Sequence, residues 1–302
     1  MVQDTSYSSE IYVGATRKKK WTCHRYETAN VDLDMNSPDA ILDERTGVYV
    51  TSIPGSAKWL DPPNSLESVS LEDFPAILKG EKDRVISHGQ QEIGVVVKCY
   101  SGIESQIKVC DIVETIGILE IPEDSQEDEH IAVVIHAITL KTKQLHEIVL
   151  SNREQLSPCT PHRRQELMAA ELTRGKDLCI QHLTNIFEGD DLAAQSILLN
   201  LTSSLTHRNP IPLGSLPMNI YCVPTATTQR LLAFLQSVLP AVAIEKLSIE
   251  SLNNQRLCPR SDGETLSAGR GQFVARMALI IDESNMQEGK LLDTGTSMNV
   301  GK

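Results

Sequence analysis

Met277-Ala278-Leu279-Ile280-Ile281-Asp282-Glu283 is the stretch on which the fold of the second half of the chain turns. An unbroken apolar run that ends in two acids reads as a buried strand surfacing at its carboxyl end. Working back from it, residues 243–249 (AIEKLSI) read as a second strand. Residues 225–239 (TATTQRLLAFLQSVL) read as a helix with Leu231, Leu235 and Val238 inward, and 217–223 (PMNIYCV) as a further strand. Strand and helix in alternation predict a parallel α/β sheet. From about residue 160 the period is helical, with Met168, Leu172, Gly175, Cys179, Leu183 and Ile186 near one face. Gly189 is expected to stop that helix and Asp190 to cap the next. There Ala194, Ile197, Leu198, Leu201 and Leu205 form a stripe that Leu192 and Leu199 widen, which predicts burial on more than one side.

An apolar strand closed by Asp-Glu is also what P-loop ATPases use to hold magnesium and polarise water. Asp282 and Glu283 are therefore the candidate site residues, in a Walker-B-like position. Strand ends meet solvent, however, so two acids there are also ordinary. The deciding test is the strand-to-helix junction. A phosphate cradle needs glycines for its wrapping N–H groups, a Lys against the charge and a Ser or Thr on the metal. Val223-Pro224-Thr225-Ala226-Thr227-Thr228 has neither Gly nor Lys, and Pro224 removes one N–H. The pair is read as vestigial: no catalytic residue, cofactor or metal is expected. No G-x-S-x-G, H-E-x-x-H or G-x-G-x-x-G is present. His136, among apolar neighbours, is expected to be a satisfied core or edge residue rather than a base.

The first half reads as β. Tyr12-Val13 is expected to precede a turn at Gly14. The basic run Arg17-Lys18-Lys19-Lys20 is either a solvated hairpin tip or a phosphate-contact or nuclear-import element. Val48 to Ile53 is a strand stopped by Pro54-Gly55. Residues 61–92, rich in Pro, Ser, Glu and Lys, read as a linker or insertion. Strands return at 93–100, at 112–119 after a turn at Cys110-Asp111, and at 131–138; Gly117 inside the second marks a bulge or a sharp coil. The six acids between Glu120 and Glu129 lack the spacing and the Gly of a calcium loop.

The formal net charge of −12 opposes loose binding to nucleic acid or anionic membrane. Seven dispersed cysteines with no CxxC pair suit a reducing compartment. With no signal-like start and no apolar run of about 20 residues, a soluble intracellular protein is expected.

Several stretches in order resemble the MCM-binding protein family. They are Met1-Val2-Gln3-Asp4 with Ile11-Tyr12-Val13-Gly14, and Tyr49 to Trp59 around Ile53-Pro54-Gly55-Ser56. Val96-Val97-Lys98-Cys99-Tyr100 follows, with Lys108-Val109, Asp111-Ile112, Glu114 and Gly117-Ile118-Leu119. Then come Gly189 to Ala194 leading into Ile197-Leu198-Leu199, Ile211-Pro212-Leu213-Gly214, and Ala278 to Glu283. The resemblance implies an α+β and α/β chain. An incomplete OB-like β domain (1–60 and 93–150, split by 61–92) precedes helices and a partial, degenerate AAA+-like α/β domain (160–302). It implies a non-enzymatic partner of MCM helicase subunits in the nucleus. The roles it implies are DNA replication, MCM assembly or disassembly, and sister-chromatid cohesion. No membrane contact or direct nucleic-acid binding is implied. Against the family pattern both domains are expected to be cut, before Met1 and after Lys302. Leu213-Gly214 and the acidic loop are the surface candidates for docking. Two rival readings remain. An OB fold gripping single-stranded nucleic acid would need aromatics and basic walls, where the 93–138 strands offer only Tyr100. An active ATPase would need the cradle that residues 223–228 lack.

Overall fold

The computed structural model describes residues 1–17, 20–26, 34–60, 94–100, 106–120, 133–149, 161–207, 211, 213–261, 266–284 and 286–292, with side chains described from 169 onward in the helix that begins at 161. The expected linker, Lys18, Lys19 and acidic residues 121–130 lie outside them. No helix among the described residues is long and apolar enough to cross a membrane. The chain is mixed α and β, with a curled half-barrel sheet and several helices. It divides into two compact units: Met1–Ser56, Pro62–Leu145 and Ala243–Lys302 form one, Ala57–Asp61 and His146–Val242 the other.

The first unit is built on a seven-stranded sheet of β1 (Val2–Asp4), β2 (Ser9–Arg17), β3 (Trp21–Cys23), β4 (Ala40–Thr51), β5 (Gly94–Tyr100), β6 (Ile112–Glu120) and β7 (Val134–Lys143). Its order is β3-β2-β4-β5-β7-β6, with β1 also on β4. All pairs are antiparallel except β5–β7, where Val96 to Lys98 run beside Val134 to His136. Period-2 alternation turns Val48, Val97, Cys99 and Ala137 to one face, where they pack with Val2 and Ile107 into a core. Burying each Val is worth about 1.5–3 kcal/mol. The turn at Cys110 forms as expected, with Cys110 at φ 72°, and its N–H bonds Val2 O at 2.8 Å.

Two glycines act differently from each other. Gly117 sits at a register shift against β7, because a Cβ there would strike the His136 carbonyl. Gly14, where a turn was expected, lies inside β2, and the register with β4 shifts between Val13 and Ala15. A strand glycine opposite a partner can make a bulge as readily as a turn. The strand expected at Val48 starts eight residues earlier, its front half hidden in the sequence by Asp43, Glu44 and Arg45.

The second unit is helical: α1 (Pro161–Ile186), α2 (Asp191–Thr202) and α3 (Thr225–Val238). Gly189, at φ 102°, ends the first. The Asp190 carboxylate accepts the Leu192 and Ala193 N–H groups at 3.0 and 2.9 Å. Leu183, Ile186, Ala194 and Ile197 form the core, with Phe187, Leu201, Leu231 and Phe234 against it. The wide stripe is not covered on more than one side: Leu192 and Leu199 are 76% and 61% exposed. Leu172 is exposed too, and Val238, expected inward, lies outward. One packed face satisfies a helix when its neighbours reach only that side.

The open parallel sheet expected after residue 160 is absent among the described residues. Residues 217–223 form no strand. Among the described residues β8 (Val242–Lys246) pairs only with β11 (Ala278–Asp282), while β9 (Arg260–Ser261) and β10 (Leu266–Ser267) make a separate pair. β11, expected to be buried, has Leu279 and Ile281 about half exposed, since a two-stranded ribbon has no second layer to cover it. α4 (Ile249–Asn254) opens with a Ser248/Ser251 capping box.

Candidate functional site

Opposite the apolar core, the sheet of the first unit carries a row of polar and aromatic side chains that its register brings together. Glu10 on β2 faces Arg45 on β4, which faces Tyr100 on β5. Arg45 Nε bonds Glu10 Oε2 at 2.8 Å, and Lys98 Nζ reaches the same oxygen at 3.3 Å. Against the pull of burial, Glu10 and the Tyr100 hydroxyl hold the Arg45 guanidinium above its ordinary value. That hydroxyl lies 2.5 Å from His136 Nδ1, and His136 Nε2 lies 2.5 Å from Glu120 Oε2. An ionised carboxylate only accepts, so Nε2 donates to Glu120, and in the neutral imidazole Nδ1 then accepts from the Tyr100 hydroxyl. One hydrogen-bond chain thus runs from Tyr100 through His136 to Glu120, across β5, β7 and β6.

Rings cover it. Tyr12 and Tyr26 meet Tyr100 edge-on at 5.5 and 5.3 Å. The Arg25 guanidinium lies 5.2 Å over Tyr100, and that of Arg45 5.1 Å over Tyr12. Burial raises the phenol pKa of Tyr12, and its bond to Asp43, at 3.1 Å, raises it further. Burial likewise raises Tyr100. Burial alone would raise Glu10, but Lys98 and Arg45 together hold it below its ordinary value. Tyr100 and His136 are each only 1% exposed. The centre of the chain is closed to solvent while Glu120 at its end is 20% exposed, and its bonds tie β5, β7 and β6 to one another. His136 is the satisfied core residue its neighbours predicted.

Asp282 and Glu283 stand at the end of β11, in the first unit. Asp282 Oδ1 accepts the Ser284 N–H at 3.0 Å. Bonding to Ser284 holds its carboxyl below the usual value. The junction at 223–228 belongs to the second unit. There the Thr227 and Thr228 N–H groups bond the Pro224 carbonyl, and buried Thr227 accepts from Arg230 at 3.2 Å. Arg17 and Trp21 pair across the β2–β3 hairpin, and of the basic run only Arg17 and Lys20 are among the described residues. No group of three or more His, Cys, Asp or Glu side chains placed to hold a metal occurs among the described residues.

A second feature lies in the second unit. Residues 209–229 contain no Asp, Glu, Lys or Arg, in a chain that is 23% charged. Gly214, at φ 94°, turns so tightly that a Cβ would hit the Ser204 carbonyl. Leu213 and Leu216 beside it are about half exposed. Sequence reasoning missed the polar row, because nothing local links residues 10, 45, 100, 120 and 136. The missing charges at 209–229 were a signal open to it.

A profile of the family described as mini-chromosome maintenance replisome factor matches residues 79–300. The chain belongs to this family. A UPF0616 protein of Schizosaccharomyces pombe is 26% identical over 305 residues, covering 98% of this chain and 55% of that protein. The mini-chromosome maintenance complex-binding proteins of Salmo salar and Homo sapiens are 22% and 24% identical, again over 98% of this chain. The chain spans 62% and 53% of those two, so about half the length of the curated relatives it matches.

Proposed function

We propose that this chain is a binding partner of the MCM complex that works by docking, without hydrolysing nucleotide. The observation that carries the reading is the family match over 79–300, joined to relatives whose printed name is complex-binding protein. Its setting is the nucleus during DNA replication, in MCM assembly or disassembly and in sister-chromatid cohesion.

An OB-like first domain is supported by the strand path. Three strands meander as β2-β4-β5, the last two are swapped, and β5 and β7 run parallel; a five-stranded Greek-key barrel needs these features. For a degenerate AAA+-like second half the support is the order α3, β8 and β11 alone, since the parallel sheet of such a domain does not form among the described residues. The absence of hydrolysis is supported by a junction without Gly or Lys and by the turn that engages Asp282. Such a subunit-like shape without a cradle would occupy an MCM surface and block ring closure, with no hydrolysis to release it.

The test is co-sedimentation of the purified chain with the MCM complex. Saturable binding is expected, and no enrichment over an unrelated acidic protein removes the reading. Magnesium-dependent ATP binding that Asp282→Ala abolishes would replace docking by ATPase chemistry.

A further inference from the structure

We propose that the β2–β3 ribbon binds single-stranded nucleic acid, with Trp21 as the platform for a base and Arg17 and Lys20 as contacts to the phosphates beside it. This site is independent of the MCM-binding reading and stands or falls without it.

Residues 11–26 hold five Lys and Arg and no Asp or Glu, in a chain whose net charge is −12. Four of the five, Arg17 to Lys20, are consecutive and lead directly into Trp21. All three residues of β3 are exposed, and β3 ends the strand order of the sheet among the described residues. Trp21 stands opposite Arg17, whose guanidinium lies 5.5 Å from the ring centroid. The indole is still 58% exposed, and Arg17 and Lys20 are exposed beside it. A cross-strand cation–π pair accounts for Arg17 and Trp21 as a brace of the ribbon. That brace needs one cation. Three further lysines in succession repel one another and the arginine, so the fold gains nothing from them.

The ligand follows from cations set beside an open aromatic face. A single strand carries a phosphate and a flat base at every unit, so it uses both features at once. An acidic peptide would satisfy the cations and leave the indole in water. In a duplex each base already lies against its neighbours and offers the indole no face. The acidity of the whole chain does not decide the matter, because charges more than about 8 Å apart are largely screened at physiological salt. Asp39, whose carbonyl accepts the Arg17 N–H at 2.9 Å, is one acid against the basic run. The aromatic and basic wall that the 93–138 strands lack is thus present on another strand pair.

The chain has two tryptophans, so in a Trp59→Phe background indole fluorescence reports on Trp21 alone. The full chain in that background is titrated with a single-stranded oligothymidylate, a duplex of the same length and polyglutamate. Saturable quenching by the single strand is expected, at least tenfold tighter than binding of either other probe. Arg17→Gln combined with Lys20→Gln is expected to lower the slope of log affinity against log salt by about 1.4, two phosphate contacts at about 0.7 each. Trp21→Ala, read by anisotropy of a labelled oligonucleotide, is expected to weaken binding about fivefold or more, and Trp21→Phe to restore most of the loss. Circular dichroism checks that each variant keeps its sheet. No saturable quenching at low salt, an unchanged salt slope, or a smaller loss for Trp21→Ala overturns the proposal. Duplex binding as tight as the single strand removes the stacking base, and polyglutamate binding as tight assigns the ribbon to an acidic protein segment; either result overturns it too.

Discussion

Tyr100→Phe tests whether the chain of hydrogen bonds holds the first unit together. Phenylalanine keeps the ring between Tyr12, Tyr26 and Arg25, so no cavity opens. Arg45 keeps Glu10 at 2.8 Å. What is lost is the donor to His136 Nδ1, 2.5 Å away in a site only 1% exposed. Orphaning a buried acceptor costs about 1–3 kcal/mol, so a loss of about 2 kcal/mol is expected. With a urea slope of about 2 kcal/mol per molar, the midpoint falls by about 1 M. Because the chain has two units, urea curves are read beside native-state amide exchange at β5 and β7, which reports on the first unit alone. His136→Leu breaks the same link from the other side. The double variant should therefore cost about 1–2 kcal/mol less than the two singles added. A midpoint shift under about 0.2 M for Tyr100→Phe, or singles that add within about 0.3 kcal/mol, would refute the network.

Gly117→Ala should cost the first unit about 1–3 kcal/mol, because the new methyl meets the His136 carbonyl and one strand must move; exchange at β6 and β7 measures it. Asp190→Ala should destabilise the second unit by about 1 kcal/mol, as two N–H groups of α2 lose their acceptor; thermal melts read the change. Glu10 is held below its ordinary 4.5, so its contribution is present above that value and lost as pH falls through the lower folded one. Glu10 is half exposed, so the effect is under about 1 kcal/mol, and Glu10→Gln should flatten the acid limb of stability against pH. Tyr12 and Tyr100 are raised above 10.0, so their contribution is present below pH 10 and lost as pH rises toward the folded values. Phenolate absorbance should show two tyrosines ionising late, and together with loss of the fold.

Local chemistry made much of this legible. The parity of Ile112, Glu114, Ile116 and Ile118 wrote β6, Gly117 wrote its bulge, and Gly189-Asp190 wrote the boundary between α1 and α2. Those signals need only neighbours in sequence. The polar row was illegible because it exists only in register: Glu10, Arg45 and Tyr100 become neighbours when β2, β4 and β5 align. Asp43, Glu44 and Arg45 also disguised the strand that carries them, since three charges in succession read as solvent. They are tolerated because Asp43 and Arg45 have partners in Tyr12 and Glu10.

Residues 217–223 failed as a strand for a different reason. Propensity and alternation are properties of a segment, but a strand also needs a neighbour, which only the rest of the fold supplies. Here the segment has the pattern and lacks the neighbour, so local and tertiary preferences disagree. Natural sequences keep such disagreements where something else profits from them. A solvated loop would have lost its apolar alternation and acquired charge, as the rest of this acidic chain has. Residues 209–229 did neither. Met218 and Ile220 are 37% and 42% exposed and Tyr221 82%, so the first two forgo less than half of the about 1.5–3 kcal/mol that full burial of a large side chain is worth. What defeats the sequence-based expectation is thus a missing neighbour among the described residues, and the pattern within the segment is intact.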